Sequence, residues 1–103
     1  MSSVASSTPI LRLASGPLTG KVVEIETTLR LGRHPFNELS LGDPGVSRYH
    51  CWILVREGKA SVEDLASANG TFVNGKRLKL RQPLQTGDRL RVGSTEFVFS
   101  EAG

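Results

Sequence analysis

The stretch Phe72-Val73-Asn74-Gly75-Lys76-Arg77-Leu78 contains the strongest hairpin signal of this chain. It places an Asn-Gly pair between two short runs, and Asn-Gly is the strongest local signal for a two-residue hairpin turn. The reason is steric, because both central positions of that turn need a positive φ, which Asn and Gly tolerate best. The stretch therefore predicts two antiparallel strands joined by a tight turn.

Short strands are predicted in both directions from this hairpin. No helical period persists over three turns, and Gly or Pro interrupts nearly every ten residues, so the short alternating runs indicate strands. These strands fall near residues 10–13, 21–25, 28–31, 38–41, 50–55, 60–65, 72–73, 76–78, 89–92 and 95–99. The run at 50–55 is apolar on both faces, which is typical of a central strand. About eleven short, mainly antiparallel strands with tight turns predict an all-β sandwich of two packed sheets.

The totals agree with one globular domain. A chain of 103 residues with 38% hydrophobic and 22% charged residues can form a core without metal or disulfide support. We expect a flexible lead-in at 1–9, the domain at 10–100 and a tail at 101–103. The lead-in lacks the basic start and apolar stretch of a signal peptide, and no apolar run is long enough to cross a bilayer. The expected location is cytoplasmic, or nuclear in a eukaryote, without membrane insertion.

The charge pattern says little about partners by itself. The net charge of +3 favours acidic partners only mildly. Lys79 and Arg81 alternate with leucines, which predicts an outward basic face that is solvated by default. Aromatic residues make up only 6% of the chain and are mostly core-like, which leaves few platforms on which nucleic-acid bases could stack. Nucleic acid is therefore not an expected partner.

The sequence offers little for catalysis. Its single cysteine, Cys51, lies in the apolar run at 50–55 and is expected to be a buried hydrophobe rather than a reactive thiol. No pair of carboxylates lies near a histidine at useful spacing, and no group of potential ligands has metal-site spacing. We expect no enzyme activity, no cofactor and no metal site.

Three short polar strings fall in loops or at strand edges, where a sandwich can gather them at one end. They are Gly32-Arg33, Ser47-Arg48-Tyr49-His50 and Asn69-Gly70-Thr71. Arginine offers a planar fork of donors that matches phosphate, serine adds a short hydroxyl donor, and asparagine has both a donor and an acceptor for a peptide main chain. The set is complementary to a phosphorylated residue and the backbone beside it.

With Val73-Asn74-Gly75 as a fourth string, the chain resembles the forkhead-associated (FHA) domain, a phosphothreonine-binding module. The resemblance extends over about residues 10–99, and all four strings occur in the family's order at suitable spacing. It implies an eleven-stranded, FHA/SMAD-like sandwich whose binding loops lie at one end.

The resemblance also implies roles for individual residues. Arg33 and Ser47 match the positions that hold the phosphate, and Arg48 matches a position that contacts the phosphate or the peptide backbone. Asn69 matches the residue that hydrogen-bonds the peptide main chain. Four further residues match structural positions. His50 matches a histidine that braces the binding loops, and the residues that match loop-shaping positions are Gly32, Gly70 and Thr71.

Two positions depart from the family pattern. Ala68 stands where many members have Ser or Thr, so a hydroxyl is missing beside the site. Gly45 has no side chain that could select the residue three positions after the phosphothreonine.

The resemblance implies a binding function, with a phosphothreonine-containing protein as the partner. That partner is expected to be a Ser/Thr kinase substrate or the kinase itself, and the isolated domain is expected to be monomeric. The alternative is an assembly module that binds an unmodified partner, for example through a sheet face.

Overall fold

The computed structural model describes residues 8–101 as eleven strands, and this part of the chain contains no helix. The strands are β1 (Ile10–Leu13), β2 (Val22–Glu24), β3 (Thr28–Gly32), β4 (Leu39–Ser40), β5 (Cys51–Arg56), β6 (Lys59–Asp64), β7 (Thr71–Val73), β8 (Lys76–Arg77), β9 (Gln82–Pro83), β10 (Arg89–Val92) and β11 (Thr95–Ser100). Within these residues, no helix is long and apolar enough to span a membrane.

The strands form two sheets. Six strands follow the order β2-β1-β11-β10-β7-β8, and five follow the order β4-β3-β5-β6-β9. Neighbouring strands pair antiparallel except β3 and β4, which are parallel. The predicted all-β sandwich of mainly antiparallel strands is confirmed, and β5 is central in its sheet as the apolar run at 50–55 predicted.

The Asn-Gly hairpin forms as the sequence predicted. Asn74 has φ of 52° and Gly75 has φ of 83°, the positive values that a type I′ turn needs. Val73 lies opposite Lys76 in the register of β7 and β8. The turn therefore joins β7 to β8, the strand at the edge of its sheet.

The core lies between the inner faces of the two sheets. In β11 the alternate residues Thr95, Phe97 and Phe99 are buried, as their shared face predicted. Phe97 lies opposite Leu13 on one side and Leu90 on the other, so one aromatic ring contributes to a continuous apolar row across three strands. The other inner face is supplied by residues of β3, β5 and β6: Leu29, Leu31, Cys51, Ile53, Ala60 and Val62.

Two details were not predicted correctly. Lys79 and Arg81 are exposed as predicted, but the expected alternation with the leucines is wrong, because Leu80 is 82% exposed and only Leu78 faces the core. This segment is a bend between β8 and β9 and not a strand, so its side chains do not alternate between two faces. The short strand β9 was missed, because two residues that include a proline carry no periodicity.

The directions of the strands bring the three site loops together. β3 and β6 run toward one end of the sandwich, and β5 and β7 run away from it. The loops 33–38, 41–50 and 65–70 therefore meet at that end. The β10–β11 turn joins them, because Val92 lies opposite Thr71 at the start of β7. The predicted lead-in lies outside the described residues except for Thr8 and Pro9, and so does the tail except for Glu101.

Candidate functional site

Arg33 leaves β3 at the loop end and is held there by its neighbours. Its backbone N–H donates to the carbonyl of Ser47 at 3.0 Å, and its side-chain Nε donates to the carbonyl of Val46 at 2.6 Å. Among residues 8–101, the terminal nitrogens of its guanidinium have no hydrogen-bond or ion-pair partner, and the residue is exposed. The anchored Nε fixes the orientation of the fork, while its two outer nitrogens stay available to a ligand.

Ser47 lies beside this fork with its hydroxyl hydrogen available. Its Oγ accepts the backbone N–H of Ala68 at 2.9 Å, which fixes the oxygen and leaves the hydroxyl hydrogen to donate elsewhere. Ala68 lacks the hydroxyl common in the family, but its main chain positions the serine instead. This contact joins the 41–50 and 65–70 loops.

His50 connects the same two loops from beneath. It is fully buried, and its Nδ1 accepts the backbone N–H of Ser47 at 3.0 Å. The other ring nitrogen, Nε2, lies 2.8 Å from the carbonyl oxygen of Gly70. Because Nδ1 acts as an acceptor, the proton is assigned to Nε2, which donates to that carbonyl. The imidazole thus satisfies two buried backbone groups on two different loops.

Asn69 faces solvent at the edge of the site. Its Nδ2 donates to the carbonyl of Gly45 at 2.8 Å, and this leaves Oδ1 free to accept a hydrogen bond from a peptide N–H. Next to it lies an open groove of about 440 Å³, lined in part by Gly45, Phe72 and Arg91. The missing side chain at Gly45 therefore leaves open space beside the asparagine.

Asp64, which sequence reasoning missed, holds the loop that carries Asn69. Its carboxylate accepts the backbone N–H and the hydroxyl of Ser67 at 2.9 and 2.6 Å, and the hydroxyl of Thr71 at 2.7 Å. Burial alone would raise the pKa of Asp64, but these hydrogen bonds outweigh it and leave the pKa below its usual value. Ser67 in turn accepts the N–H of Gly70 at 2.9 Å. Thr71 therefore acts on the loop through Asp64.

Asn37 is a second residue that the sequence did not reveal. It is buried, and its Nδ2 donates to the carbonyls of His34 and Arg48, each at 2.8 Å. Gly32 lies against the same carbonyl, because a Cβ at this position would clash with the Arg48 oxygen and lie 2.8 Å from Nδ2 of Asn37. The close approach that aligns the 33–38 and 41–50 loops therefore requires glycine.

Gly32→Ala is expected to lower the free energy of unfolding by about 1–3 kcal/mol, because the added methyl forces a backbone carbonyl to move. Gly42→Ala is the matched control, since a Cβ there meets nothing within 4 Å and its φ is not positive. Urea denaturation of both variants measures the difference. Equal stability of the two variants would show that the close approach at Gly32 is not required.

Asp43 fastens the 41–50 loop to the β10–β11 turn. Its Oδ2 accepts the N–H and the hydroxyl of Ser94 at 2.7 and 2.6 Å, and its Oδ1 accepts the N–H of Gly45 at 2.8 Å. These hydrogen bonds, first the one from the Ser94 hydroxyl, lower the pKa of Asp43 from 3.8 to about 2. A depressed pKa means that the contacts stabilise the fold above pH 3.8 and are lost as the pH falls through about 2.

Asp43→Asn is expected to be less stable than the parent protein at pH 6, with a difference that shrinks as the pH is lowered toward 2. The pKa of Glu38 is also lowered to about 2, chiefly by its hydrogen bond from Arg30. Subtracting the variant's curve from that of the parent isolates Asp43, because Glu38 is common to both. Urea unfolding at pH 6 and 2.5 is the measurement, and an unchanged difference between the two values would contradict the prediction.

Arg48 completes the predicted set, and only its main chain is engaged. Its carbonyl accepts the N–H of His34 at 3.1 Å, and its exposed side chain has no hydrogen-bond or ion-pair partner within the described part of the chain. The structure therefore brings Arg33, Ser47, Arg48 and Asn69 to the loop end of the sandwich. Gly32, His50, Gly70 and Thr71 lie behind these four residues in the loop framework.

The comparisons with known proteins agree with this geometry. The sequence model of the FHA domain matches residues 29–93. The oxoglutarate dehydrogenase inhibitor of Corynebacterium efficiens is 37% identical over 87% of this chain, and the chain spans 63% of that protein's length.

Solved structures also resemble this chain in fold. An FHA domain studied for phosphothreonine-dependent interactions is 32% identical, covers 92% of this chain and 96% of its own, and has a TM-score of 0.82. Mycobacterium tuberculosis EmbR, solved with a low-affinity phosphopeptide, is 28% identical, with coverage of 94% of this chain and 25% of its own and a TM-score of 0.85. From its sequence and its fold alike, this chain belongs to the FHA domain family.

Proposed function

We propose that this chain binds a phosphothreonine-containing segment of a partner protein through the loop end of the sandwich and performs no chemistry on it. The observation that carries the proposal is the guanidinium of Arg33, which is anchored at Nε and has no partner for its terminal nitrogens among residues 8–101, next to Ser47, whose hydroxyl donates no hydrogen bond to these residues. Both groups are held by main-chain contacts, so little ordering is left to occur when a ligand binds.

The electrostatics of the surface favour a phosphate dianion. A phosphothreonine has a charge of about −1.5 to −2 at neutral pH and three acceptor oxygens. Arg33 and Arg48 offer two cations, and no carboxylate lies within ion-pair distance of either one among residues 8–101. Each charge-assisted hydrogen bond to the phosphate contributes about 1.5–3 kcal/mol. A few such bonds are enough to distinguish the phosphorylated from the unmodified partner.

Asn69 is the residue of the proposed site that would contact the main chain of the bound peptide. Its free Oδ1 points out of a loop that Asp64 and His50 hold in place, and the groove beside it is open. An amide acceptor at a fixed position suits a main-chain N–H of an extended segment. Such a contact does not depend on the side chains of that segment. The phosphate contacts would therefore give specificity for the modification, and Asn69 would orient the chain.

The single cysteine, Cys51, gives no support to a catalytic role. Burial raises the pKa of the Cys51 thiol to about 12, so the thiolate needed for nucleophilic attack does not form near neutral pH. Among residues 8–101, no group of three or more His, Cys, Asp or Glu side chains is placed to hold a metal ion. The corynebacterial relative is an oxoglutarate dehydrogenase inhibitor, and inhibition of another protein is consistent with a binding module.

We propose a role in Ser/Thr kinase signalling, with a kinase substrate or the kinase itself as the partner. One relative studied for phosphothreonine-dependent interactions and another solved with a phosphopeptide support the ligand class. A cytoplasmic location fits a partner that is phosphorylated inside the cell. We also propose that the isolated domain is monomeric and that nucleic acid is not its ligand.

The test is a calorimetric titration with a phosphothreonine peptide library and the same peptides without phosphate. The proposal expects binding of the phosphorylated set only, and equal binding of both sets would refute it. Repeating the titration with Arg33→Ala/Ser47→Ala tests the alternative of an assembly module. An unmodified partner that still binds this double variant would favour that alternative.

A further inference from the structure

Two aromatic side chains, Phe36 and Tyr49, contact the ring of His34 next to the proposed phosphate site. His34 stacks on Tyr49 with ring centroids 5.1 Å apart, and Phe36 meets His34 edge-on at 4.9 Å. Phe36 is 76% exposed and Tyr49 is 44% exposed. We call His34, Phe36 and Tyr49 the aromatic platform.

The platform is not part of the hydrophobic core. Core aromatics of this chain, such as Phe97 and Phe99, are fully buried, whereas Phe36 presents most of its surface to solvent. Single exposed hydrophobic residues are ordinary, but contiguous aromatic surface next to a ligand site is typical of a contact region. Rigid aromatic side chains also provide contact area at a low cost in conformational entropy.

The loop that carries Phe36 is held in one conformation. The Phe36 backbone N–H donates to Nδ1 of His34 at 3.1 Å, and the Asn37 N–H donates to the carbonyl of His34 at 3.0 Å. The buried Asn37 side chain then links this turn to the carbonyl of Arg48. The rings are therefore presented on a braced turn that does not have to be ordered by a ligand.

The segment 45–49 gives the order of the contacts across the site. Gly45 is held by Asn69, and Val46 and Ser47 are held by Arg33. Farther along the segment, Arg48 accepts the N–H of His34, and Tyr49 stacks on the same residue. The phosphate-facing groups thus lie between Asn69 on one side and the aromatic platform on the other.

A peptide that contacts Asn69 and then Arg33 would extend next over the aromatic platform. His34 directly follows Arg33, and Tyr49 is two residues after Ser47. Successive residues of an extended chain advance by about 3.3 Å, so the platform lies within about two or three residues of the phosphothreonine. Burial of the exposed ring surface favours an apolar partner side chain. The faces of aromatic rings can also bind a cation, but the positive charge of the neighbouring Arg48 disfavours a basic residue there. This placement indicates an apolar side chain as the complementary group.

We propose that the aromatic platform binds an apolar side chain of the phosphorylated partner, located on the side of the phosphothreonine away from the residues held by Asn69. This inference rests on the proposed function. The platform adds a preference for a flanking residue, while Arg33, Ser47 and Arg48 bind the phosphate. The region that Gly45 leaves open then contributes less to selectivity than the opposite side of the site.

The experiment uses phosphothreonine peptides with Gly/Ser flanks, in which one leucine is moved through the three positions on each side. Fluorescence anisotropy gives the ratio of affinities for each leucine peptide and the all-Gly/Ser peptide. The parent protein is expected to show a ratio of roughly 5- to 30-fold at one position, on one side only. Phe36→Ser and Tyr49→Ser are each expected to reduce that ratio toward one, with the affinity for the all-Gly/Ser peptide unchanged.

Leu80→Ser is the matched control, because Leu80 is as exposed as Phe36 but lies in the bend between β8 and β9. It should leave every ratio as in the parent protein. A ratio near one at all positions, equal ratios on both sides, or a ratio unaffected by Phe36→Ser would each overturn the inference while phosphate-dependent binding persists. If no phosphorylated peptide binds better than its unmodified counterpart, the proposed function fails, and this inference fails with it.

Discussion

Arg33→Ala is expected to weaken binding of a phosphothreonine peptide by at least about 100-fold, which corresponds to roughly 3 kcal/mol. The substitution removes a fork whose orientation is set by its Nε contact with the Val46 carbonyl and whose terminal nitrogens have no partner among residues 8–101. Stability should change by no more than about 1.5 kcal/mol, because the exposed side chain gives up one hydrogen bond within the protein. Calorimetric titration and urea unfolding measure the two effects separately.

Arg56→Ala is the matched control for that experiment. Arg56 is exposed at the far end of β5, so it has the same charge but lies at the opposite end of the sandwich from the loops. Its removal changes the net charge by the same amount and should leave affinity within about twofold. Full affinity in Arg33→Ala, or equal losses in both variants, would show that the anchored fork does not bind the phosphate.

His50→Ala is expected to lower the free energy of unfolding by about 3–5 kcal/mol, the largest effect on stability that we predict. It leaves the N–H of Ser47 and the carbonyl of Gly70 without their partner, at about 1–3 kcal/mol for each buried group, and it creates a cavity. Ser47 and the loop of Asn69 lose their common support, so phosphopeptide affinity should also fall. Urea denaturation followed by tryptophan fluorescence measures the loss of stability.

His34→Ala serves as the comparison, because His34 is the other histidine of the chain and is only half-buried in a loop. Its expected cost is about 1 kcal/mol. If His50→Ala were no less stable than His34→Ala, the two backbone contacts of the imidazole would not be what holds the loops together.

The fold could be predicted from the sequence because its signals are local. Alternating residues such as Thr95, Phe97 and Phe99 determine which face is buried, and Asn74-Gly75 sets the hairpin turn. The ends of the predicted strands differ from the observed ones by at most one residue. Leu80 was misplaced because three residues of alternation cannot distinguish a strand from a bend.

The site was predicted less completely. Arg33, Ser47, Arg48 and Asn69 do lie at one end of the sandwich, but their roles remain proposals. The supporting residues Asn37, Asp43 and Asp64 gave no signal, because their contacts depend on how the loops come together. Asp43, for example, accepts its hydrogen bonds from Ser94, which is 51 positions away along the chain. Such pairings become visible only when strand order and register are known.

The stacked platform shows the same limit in a different way. Nothing in the spacing of residues 34, 36 and 49 indicates that their rings touch. The contact forms because main-chain bonds from residues 33 and 34 to residues 47 and 48 draw the two loops together. The composition suggested few exposed aromatic groups, whereas the fold gathers three rings beside one site.

The most direct test of the central claim is a titration of the ¹⁵N-labelled domain followed by ¹H–¹⁵N NMR spectra, with one phosphothreonine peptide and its unmodified counterpart. The spectra include the backbone amides and the Nε–H of Arg33. With the phosphorylated peptide, we predict saturable shifts confined to the loops 33–38, 41–50 and 65–70, together with the Arg33 Nε–H, and no shifts with the unmodified peptide. Identical shifts with both peptides, or shifts on a sheet face with the three loops unaffected, would contradict the claim.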